Sequence, residues 1–397
     1  SLGSRLPDRS SGLLKEELRQ LGSLLLRCAE ETALPAGGAL AVDRDAFSAA
    51  VTRSLTEHPL INIVRQEVTE IPQGQIILLC SGPLTSPALT RAIQSLTGQD
   101  NLAFFDAIAP IVSLESINMD IAYRASRYAK EEDGEGDYIN CPLNREEYET
   151  FVEALRTAEQ ITLRDFENPI QLGIKAGQYF EGCLPVELMA RRGQDTLAFG
   201  PMRPIGLRDP RTGRRPHAVL QLRQVNLAGT LYNMVGFQTN LTYPEQKRVF
   251  HLIPGLENAE FVRYEQMHRN TFIASPLLLR PSLQFQERSD LFFAGQISGV
   301  EGYMGNIATG LLAGINAARL FYHQDTLVLP ETTMLGALCH YITHCPIKDF
   351  QPMKANYGIL PPLEAPRRGK RERAQQYGER SLLDLKTFLE SNELRPL

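Results

Sequence analysis

The chain has 397 residues, more than a single hydrophobic core usually organises, so two domains are expected. Its 43% hydrophobic and 22% charged residues are typical of a soluble globular protein, and no apolar run is long enough to span a membrane. The net charge of −5 argues against general affinity for nucleic acid, although a local basic face is compatible with this average.

The six cysteines are scattered along the chain and fit no small disulfide scaffold. The sequence does not open with a charged stretch followed by an apolar one, the pattern of a secretory signal. Both observations predict reduced thiols in a cytoplasmic protein.

The first hundred residues alternate between predicted helices and strands. Apolar residues recur every three or four positions over residues 13–29, which predicts one helix, and residues 45–55 predict a second. Residues 61–68 and 75–82 are predicted strands, and the second is expected to be buried and to end in Gly82. This alternation favours an α/β sheet.

From about residue 101 the pattern changes, and it predicts a separate inserted domain. Residues 138–143 are a predicted strand, residues 146–159 a predicted amphipathic helix, and residues 202–237 alternate in the manner of β-hairpins. Near the carboxyl end, residues 370–389 predict a charged helix.

Residues 291–320 combine a predicted strand, a glycine turn and a helix. An apolar run ends at Ala294, Gly295, Gly299 and Gly302 follow, and a helix rich in small residues that can pack closely comes next. Such a turn brings backbone amides towards a flat or phosphorylated ligand. It also occurs in an ordinary βα unit, and the glycines alone do not separate the two.

Three segments carry a more specific likeness. They are FFAGQISGVEGYMGNIATGLLAGINAARL at residues 292–320, FEGCLP at residues 180–185 and GFQTN at residues 236–240. Together they resemble the folate- and FAD-dependent tRNA (uracil-5)-methyltransferases of the TrmFO type, relatives of the larger GidA-type tRNA-modifying flavoproteins. The resemblance runs from about Gly12 to the basic segment near the carboxyl end.

The resemblance implies an α/β fold, with a Rossmann-like FAD-binding domain that carries an inserted α+β domain. The FAD-binding domain is expected over residues 1–100, an active-site segment over 180–200, and a last part with a basic helix over 286–397. The inserted or substrate domain is expected over residues 101–179 and 201–285.

A dinucleotide-binding domain usually begins with a strand and the fingerprint Gly-x-Gly-x-x-Gly. No such fingerprint precedes Leu13. The resemblance implies that it lies upstream of Ser1, together with a cysteine of the family, so the chain is expected to lack this segment. Cys80-Ser81-Gly82 occupies the place of the family's Ala-Thr-Gly turn.

The resemblance also implies an activity. Reduced pyridine nucleotide, NADPH or NADH, would reduce FAD, and methylenetetrahydrofolate would supply one carbon to C5 of a uridine in the T-loop of tRNA. A cysteine thiolate adding to C6 would make C5 nucleophilic. A homodimer is one expected oligomeric state, and no membrane partner is expected.

Cys183 is the first candidate catalytic residue. A thiolate is populated at neutral pH near positive charge or a helix N-terminus. Arg191 and Arg192 follow it, and Pro185 is expected in the first turn of a helix that runs to Met189. By chemistry alone a buried structural cysteine is the commoner case. The resemblance instead implies a role in handling the target uracil, as a thiol or an acid/base partner.

Three further catalytic candidates come from the resemblance. Tyr303 is expected to stack on the isoalloxazine ring, although a tyrosine in a surface turn is the ordinary alternative. Glu301 is expected at the cofactor's polar edge or as an electrostatic bias on the helix start. Lys370 falls near a family lysine at the active site. The expected cofactor-binding residues are Gly82, Gly295, Gln296, Gly299, Gly302 and Tyr303.

Basic residues form two groups that suggest RNA, although charge runs are commonly solvated faces. The groups are Arg203, Arg208, Arg211, Arg214, Arg215 and His217, and Arg367, Arg368, Lys370, Arg371 and Arg373. The pairs Cys339-His340 and His344-Cys345 do not have zinc-finger spacing, so no metal is expected and these residues are interpreted as core.

Two alternative functions stay open at this stage. One is a GidA-like flavoprotein that modifies the wobble uridine, which the chain length and the FEGCLP segment disfavour. The other is a tRNA-binding protein with a degraded flavin site, which the absent fingerprint motivates.

Overall fold

The computed structural model describes residues 2–98, 102–107, 109–127, 136–161, 184–226, 228–264 and 267–393. For residues 102–107, 263 and 267–270 it describes the backbone alone. Cys183 and the rest of the segment 162–183 therefore lie outside the described residues.

The described residues form helices and strands in alternation. The helices are α1 Ser10–Gln20, α2 Leu24–Glu31, α3 Arg44–Thr56, α4 Pro87–Thr97, α5 Arg145–Thr157, α6 Val186–Arg192, α7 Thr196–Phe199, α8 Tyr243–Phe250, α9 Ser275–Leu278, α10 Tyr303–Phe321, α11 Met334–His344 and α12 Lys370–Ser391. The strands are β1 Ala33–Leu34, β2 Ala41–Val42, β3 Ile77–Leu79, β4 Leu102–Ala107, β5 Ile111–Ser113, β6 Tyr123–Arg124, β7 Tyr138–Leu143, β8 Ala218–Gln224, β9 Leu231–Met234, β10 Phe261–Arg263, β11 Met267–Phe272, β12 Gln284–Phe285 and β13 Arg288–Phe293.

The strands form two sheets of different character. The larger is six-stranded and antiparallel, in the order β10-β5-β9-β8-β7-β6. The smaller has the order β12-β13-β3, and its pair β13–β3 is parallel. Two short ribbons, β1–β2 and β4–β11, complete the pairing. The β4–β11 ribbon stands where the chain leaves the smaller sheet's region and later returns to it.

The described residues form two large hydrophobic cores and two smaller ones, the larger of which packs around β3 and β13. The first core packs α1, α10, α11 and α12 together, with Phe292 of β13 fully buried among them. The second core lies under the six-stranded sheet and contains buried residues between Ala109 and Ala259. Val186, Ala190, Leu197 and Ala198, from the described part of residues 180–200, pack in this second core, and the assignment of that segment to the FAD-binding domain stays a prediction.

The predicted helix over residues 13–29 is wrong as a single helix. Gly22 has a φ of 69°, and the chain turns there before the hydroxyl of Ser23 accepts the Leu26 amide to cap α2. The apolar period continues across this turn because both helices face the same core, and the period therefore hides the break.

The predicted strand over residues 61–68 is also wrong. These residues form no strand, and Ile61, Ile63, Val64 and Val68 are exposed. The next strand, β3, is shorter than predicted, and Leu78 is 38% exposed rather than buried. A strand needs a partner as well as an apolar pattern, and residues 61–68 pair with no strand in the part of the chain that the structure describes.

Several elements match their predictions closely. The strand over residues 138–143 is β7, the helix over 146–159 is α5, and the helix over 370–389 is α12. Asn144 caps α5 with a capping box in which Glu147 reaches back to the Asn144 amide. Of the predicted hairpins over residues 202–237, only β8 and β9 form, since residues 202–217 are turns and loops.

Candidate functional site

The site is built where the parallel strands β3 and β13 end side by side. Leu79 pairs with Phe293, and the Ala294 amide donates to the Leu79 carbonyl at 3.3 Å. The chain leaves β3 through residues 80–82 and leaves β13 through residues 294–302. The structure therefore brings both predicted glycine segments to one edge of the sheet, which is where open α/β sheets bind ligands.

The loop after β13 is fixed by hydrogen bonds to neighbouring elements. The hydroxyl of Thr309, in the second turn of α10, accepts the Gly295 amide at 3.1 Å. The hydroxyl of Ser298 donates back to the Gly295 carbonyl at 2.7 Å, and the Ile273 amide donates to the Ile297 carbonyl at 2.8 Å. The loop is thus preorganised by the protein itself.

A second set of contacts holds the end of this loop. The Met353 amide donates to the Gly299 carbonyl at 3.0 Å, and the Glu301 amide donates to the Met353 carbonyl at 2.9 Å. Glu301 is half-buried beside this bridge. The sequence analysis missed Thr309 and Met353, because neither has a local signal that tells which loop it will contact.

The five predicted cofactor-binding residues of the loops differ in their surroundings. Gly82 and Gly302 have φ values of 74° and 85°, and a Cβ added at either meets no described atom within 4 Å. Gly295 has a φ of 74°, and an added Cβ would meet only the Asn306 Cβ, at 4.0 Å. These three positions are open to a ligand, and Gln296 lies in the half-buried 3₁₀ turn between them. Their left-handed backbone favours glycine.

Gly299 has a different role from the other glycines. Its φ is 80°, and an added Cβ would lie 2.5 Å from Cζ of the buried Phe350 ring. The protein's own side chain therefore fills the space beside Gly299. This residue shapes the loop by close packing, and its contact with a cofactor stays a prediction.

The start of α10 carries the other predicted residue of this edge. Gly302 is the N-cap, and no described side chain caps the helix, so its first amides have no acceptor within the helix. Tyr303, at the first helical position, is 70% exposed. On the same turn, Oδ1 of Asn306 is buried and has no hydrogen-bond partner in the described part of the chain. Asn306 was not predicted from the sequence, because α10 also contains Asn316 and nothing local distinguishes the two amides.

For the predicted nucleophile, Cys183, the structure describes only the residues that follow it in the sequence. Cys183 and the first three residues of the FEGCLP segment lie outside the described residues. The helix that follows is α6, which starts at Val186 with Pro185 as its N-cap and runs to Arg192, beyond the predicted end at Met189. The basic residues Arg191 and Arg192 occupy its last turn, away from the end nearer Cys183.

Glu187 of α6 is fully buried, an unusual position for a carboxylate. It accepts the Asn240 amide at 2.8 Å and the Thr239 hydroxyl at 3.0 Å, so both of its oxygens are used within the GFQTN segment. Burial raises the pKa of this carboxyl above its ordinary value, and the two donors oppose that rise. The FEGCLP and GFQTN segments are thus joined through Glu187.

The first basic group lies on an exposed loop before β8, and hydrogen bonds of Asp209 hold this loop in shape. Asp209 is buried and holds Arg211 through Nε at 3.1 Å and Nη2 at 2.8 Å, and its amide donates to the Arg214 carbonyl at 2.9 Å. The remaining arginines of the loop are exposed: Arg203, Arg208, Arg214 and Arg215. His217 is half-buried against the Tyr148 ring at 4.9 Å, so it belongs to the base of the loop.

The second basic group surrounds the start of α12. Lys370, Arg371 and Arg373 occupy the first turn, where the helix macrodipole is positive and disfavours cations. Arg371 reaches Asp8 at 2.9 Å, while Lys370 is exposed. Among the described residues, no hydrogen bond or ion pair joins Lys370 to the glycine loop.

The histidine and cysteine pairs predicted as core residues lie on or directly after α11. Cys339 is buried, whereas His340 is half-buried and stacks on the exposed His344 ring at 4.1 Å, so the prediction is wrong for His344. His340 Nδ1 lies 3.0 Å from the Glu331 carboxylate. No cluster of three or more histidine, cysteine, aspartate or glutamate side chains suited to a metal occurs among the described residues.

In the part of the chain that the structure describes, no helix combines the length and apolarity needed to cross a membrane.

Comparison with known proteins places this geometry in a wider context. The family model described as glucose inhibited division protein A matches residues 1–325. A Heliobacterium modesticaldum protein named methylenetetrahydrofolate–tRNA-(uracil-5-)-methyltransferase TrmFO is 54% identical over 392 residues, which cover 99% of this chain and 87% of that protein. A protein of the same name from Symbiobacterium thermophilum is 57% identical over 377 residues, covering 94% of this chain and 82% of that one.

Solved structures show the same fold at much lower sequence similarity. A structure of Aquifex aeolicus GidA matches with a TM-score of 0.65 and 15% identity, covering 97% of this chain and 67% of that chain. A second crystal form of the same protein gives a TM-score of 0.66 at 15% identity. At this identity the match supports the α/β fold alone.

Proposed function

Because the chain belongs to the family of glucose inhibited division protein A and its TrmFO relatives, we infer that it is a methylenetetrahydrofolate–tRNA (uracil-5-)-methyltransferase. It forms 5-methyluridine in tRNA, in the T-loop. The observation that carries this function is the identity of more than half of the residues over nearly the whole chain. We further propose that it acts in the cytoplasm and assembles as a homodimer, which sedimentation of the purified chain tests.

We propose FAD as the bound cofactor at the edge formed by β3 and β13. The open glycines Gly82, Gly295 and Gly302 leave room for a flat group against the backbone, and the uncapped first amides of α10 suit an anionic one. The buried Oδ1 of Asn306 lacks a hydrogen-bond donor that a ligand would supply. The residues present therefore fit the group.

The chemistry of the transfer explains why a redox cofactor is needed. A methylene carbon is two electrons more oxidised than a methyl group, so the transfer requires a two-electron reductant, and we propose reduced pyridine nucleotide in this role. Methylenetetrahydrofolate, uridine, NAD(P)H and one proton would balance to tetrahydrofolate, 5-methyluridine and NAD(P)⁺. FAD, when bound, supplies the two-electron chemistry that connects these reactants. We propose NADPH or NADH as the reductant.

The chain's own residues would bind and orient the cofactor, and they would not carry electrons themselves. Gly302 and the first amides of α10 would bind the anionic part of the cofactor, and the exposed ring of Tyr303 would cover its flat part. Thr309 and Met353 keep the loop in position without reorganisation. Glu301 and Lys370 are proposed at the polar edge and at the substrate.

Cys183 is proposed as the thiol that acts on the target uracil. Addition of its thiolate to C6 would place negative charge on C5 and O4, which makes C5 the attacking atom. After C5 has bonded to the one-carbon unit, loss of the C5 proton to a base and cleavage of the C6–S bond would restore the double bond and release the thiolate. Cys183→Ala is expected to lose methyl transfer while the protein keeps its flavin absorption. Cys345→Ala, which alters a half-buried thiol of the other core region, is the matched control and is expected to keep both. Full methyl transfer by Cys183→Ala would exclude the catalytic role.

We propose that tRNA binds through the arginine loop before β8 and the basic start of α12. The loop presents four exposed arginines beside the scaffold held by Asp209, and the start of α12 gathers cations where the helix dipole disfavours them. Phosphates of the tRNA would neutralise the positive charges of both groups. The uridine must be exposed from its folded loop for the reaction.

Nucleoside analysis of tRNA tests the function. The chain is incubated with undermodified tRNA, methylenetetrahydrofolate, FAD and NADPH, and the digested product is separated. A 5-methyluridine peak is expected. A modified wobble uridine in its place would favour the GidA-like alternative. Persistent tRNA binding with neither flavin nor product would favour a binding protein with a degraded flavin site.

A further inference from the structure

A row of polar side chains crosses the six-stranded sheet on the face that points away from the second core. Tyr138 of β7 is in register with Arg223 of β8, and Arg223 is in register with Asn233 of β9. Ile139 and Leu222, their neighbours along β7 and β8, are fully buried in the second core. Because successive residues of a strand point to opposite faces, the row occupies the other face of the sheet.

The guanidinium of Arg223 lacks the carboxylate partner that a half-buried arginine usually has. Its Nη2 donates to Oδ1 of Asn233 at 3.3 Å, and the described residues give this guanidinium no other hydrogen bond and no ion pair. Asp137, the acid next to Tyr138, does not pair with it in the described part of the chain. A charge withdrawn from water without an opposing charge is unfavourable, so the site is suited to an anion.

The pKa values separate Arg223 from the arginines that have partners. Hydrogen bonds to carboxylates raise the pKa of Arg211 and Arg248. Burial instead lowers the pKa of Arg223, which Tyr138 opposes, and the positive charge of the exposed Arg44 lowers it further. The surroundings of Arg223 therefore contain a second cation and disfavour its own charge.

The row faces the part of the chain that carries the cofactor edge. The Tyr138 hydroxyl donates to the Ala36 carbonyl at 3.3 Å. Ala36 lies between β1 and β2, and Leu40 of the same connection packs in the first core together with Met304 of α10. Arg44 is the first residue of α3, directly after β2. Arg223 thus lies where the six-stranded sheet meets the region of the glycine loop.

We propose that Arg223 binds a carboxylate on the glutamyl part of methylenetetrahydrofolate. The inference rests on the proposed function, which makes this folate a substrate, and it adds a binding residue for it. The glutamyl part carries two carboxylates at neutral pH, and the planar guanidinium matches a carboxylate with two parallel hydrogen bonds. Arg44 supplies a second positive charge nearby.

A half-buried position favours a small anion over a phosphate of tRNA. The phosphates of a folded RNA lie on its outer surface, where long exposed side chains reach them. The loop before β8 offers such side chains in Arg208, Arg214 and Arg215, which are exposed. Arg223 lies instead against the sheet, where two parts of the chain meet.

Three variants change this site in different ways. Arg223→Ala removes the guanidinium, and Arg223→Lys keeps the charge without the planar fork. Asn233→Asp places a carboxylate where Oδ1 now lies, so the chain itself would occupy the guanidinium. Arg248→Ala is the matched control, because it removes an arginine of the same core region that is already paired with Glu245 at 2.7 Å.

The first measurement is calorimetric binding of tetrahydrofolate in the presence of FAD. Arg223→Ala and Asn233→Asp are expected to raise Kd by at least about tenfold, Arg223→Lys by less, and Arg248→Ala by no more than about twofold. Tetrahydrofolate with both glutamyl carboxylates converted to amides should bind the unaltered chain as weakly as tetrahydrofolate binds Arg223→Ala. The amide form should lose nothing further in Arg223→Ala.

The second measurement separates substrate binding from the maximal rate. A contact with the folate tail is the same before and during the reaction, so it contributes to binding and not to the chemical step. Arg223→Ala is therefore expected to raise KM for methylenetetrahydrofolate by at least about tenfold. Its kcat and its KM for tRNA should stay within about twofold.

The third measurement does not depend on methyl transfer. Arg223→Ala removes a charge that has no partner, so its unfolding temperature should not fall, and Asn233→Asp should raise that temperature. Millimolar 4-aminobenzoylglutamate, the folate tail without the pterin, should raise the unfolding temperature of the unaltered chain and of Arg248→Ala. It should leave Arg223→Ala unchanged.

Two results would overturn the assignment of Arg223 to the folate tail. One is an active Arg223→Ala protein with unaltered Kd for tetrahydrofolate and unaltered KM for methylenetetrahydrofolate, which would leave the proposed function standing. The other is an Arg223→Ala protein that loses tRNA affinity and keeps tetrahydrofolate affinity, which would identify a phosphate of RNA as the anion. An unaltered chain that forms no 5-methyluridine, but is stabilised by 4-aminobenzoylglutamate only when Arg223 is present, would count against the proposed function and support the carboxylate site.

Discussion

The contact between Gly299 and Phe350 gives the sharpest quantitative prediction for this fold. Gly299→Ala would place a methyl group 2.5 Å from Cζ of a fully buried ring, at a residue with φ 80° and ψ 21°. The left-handed backbone costs about 1–2 kcal/mol for a non-glycine residue. Overpacking a rigid core adds about 1–3 kcal/mol. The free energy of unfolding should therefore fall by about 2–5 kcal/mol.

Gly98→Ala is the matched control for the backbone part of this effect. Gly98 ends α4 with φ 61° and ψ 14°, the same left-handed conformation, and an added Cβ there meets no described atom within 4 Å. This variant should be destabilised by only about 1–2 kcal/mol. The difference between the two variants, about 1–3 kcal/mol, is the part due to the Phe350 ring.

Urea unfolding of both variants and of a Phe350→Ala background measures these free energies. In that background the ring is absent, so Gly299→Ala should cost no more than Gly98→Ala. Equal destabilisation by Gly299→Ala and Gly98→Ala in the unaltered chain would refute the close-packing role of Gly299. It would return this residue to the group of open glycines that a ligand can approach.

Two other predictions concern charge. Replacing Arg208, Arg214 and Arg215 together by alanine should weaken tRNA binding and reduce the slope of log affinity against log salt by about 0.9 for each phosphate that is no longer neutralised. Arg145→Ala, which removes an arginine paired with Glu149, should change neither the affinity nor the slope. An unchanged slope in the triple variant would mean that the RNA binds elsewhere. Glu17→Gln tests a buried carboxyl that accepts the Met334 and Leu335 amides and the Ser381 hydroxyl, and whose pKa burial raises above its ordinary value of 4.5. The unfolded chain releases this proton at lower pH than the folded one, so the stability that Glu17 contributes is full below pH 4.5 and is lost as the pH rises through the folded pKa, and Glu17→Gln should gain stability relative to the unaltered chain over that rise. A difference in unfolding free energy that stays constant with pH would contradict this.

The glycine loop shows how far sequence reasoning reaches. The order of strand, glycines and small-residue helix predicts β13, the loop and α10, because each signal is local to its own residues. The loop's supports are not local. Thr309 and Met353 contact it only after the chain has folded, so the sequence does not mark them.

The incorrect predictions also arise from contacts between residues that are distant in the sequence. The apolar pattern over residues 61–68 satisfies the local requirement for a strand, but pairing depends on a partner that the pattern does not contain. The break at Gly22 is hidden because α1 and α2 bury their faces in one core and so keep one period. Gly82, Gly299 and Gly302 look alike in the sequence, and only the position of Phe350 separates Gly299 from the other two.

The contact between Glu187 and the GFQTN segment illustrates what packing adds to motif recognition. FEGCLP and GFQTN are separate motifs, and the hydrogen bond between Glu187 and Thr239 that joins them spans 52 positions of the sequence. Nothing in either motif indicates that a carboxylate next to one will be buried against the other. The structure brings them together, and this makes Glu187 a residue to test.

The most direct test of the proposed activity follows the carbon that reaches tRNA. The chain is given undermodified tRNA, FAD and NADPH with methylenetetrahydrofolate labelled in its methylene carbon, alongside unlabelled S-adenosylmethionine, and the label in 5-methyluridine is counted. We expect the methyl carbon of the product to be labelled and omission of the folate to abolish it. Product formed without label, or formed when the folate is omitted, would contradict a folate-dependent methyltransferase.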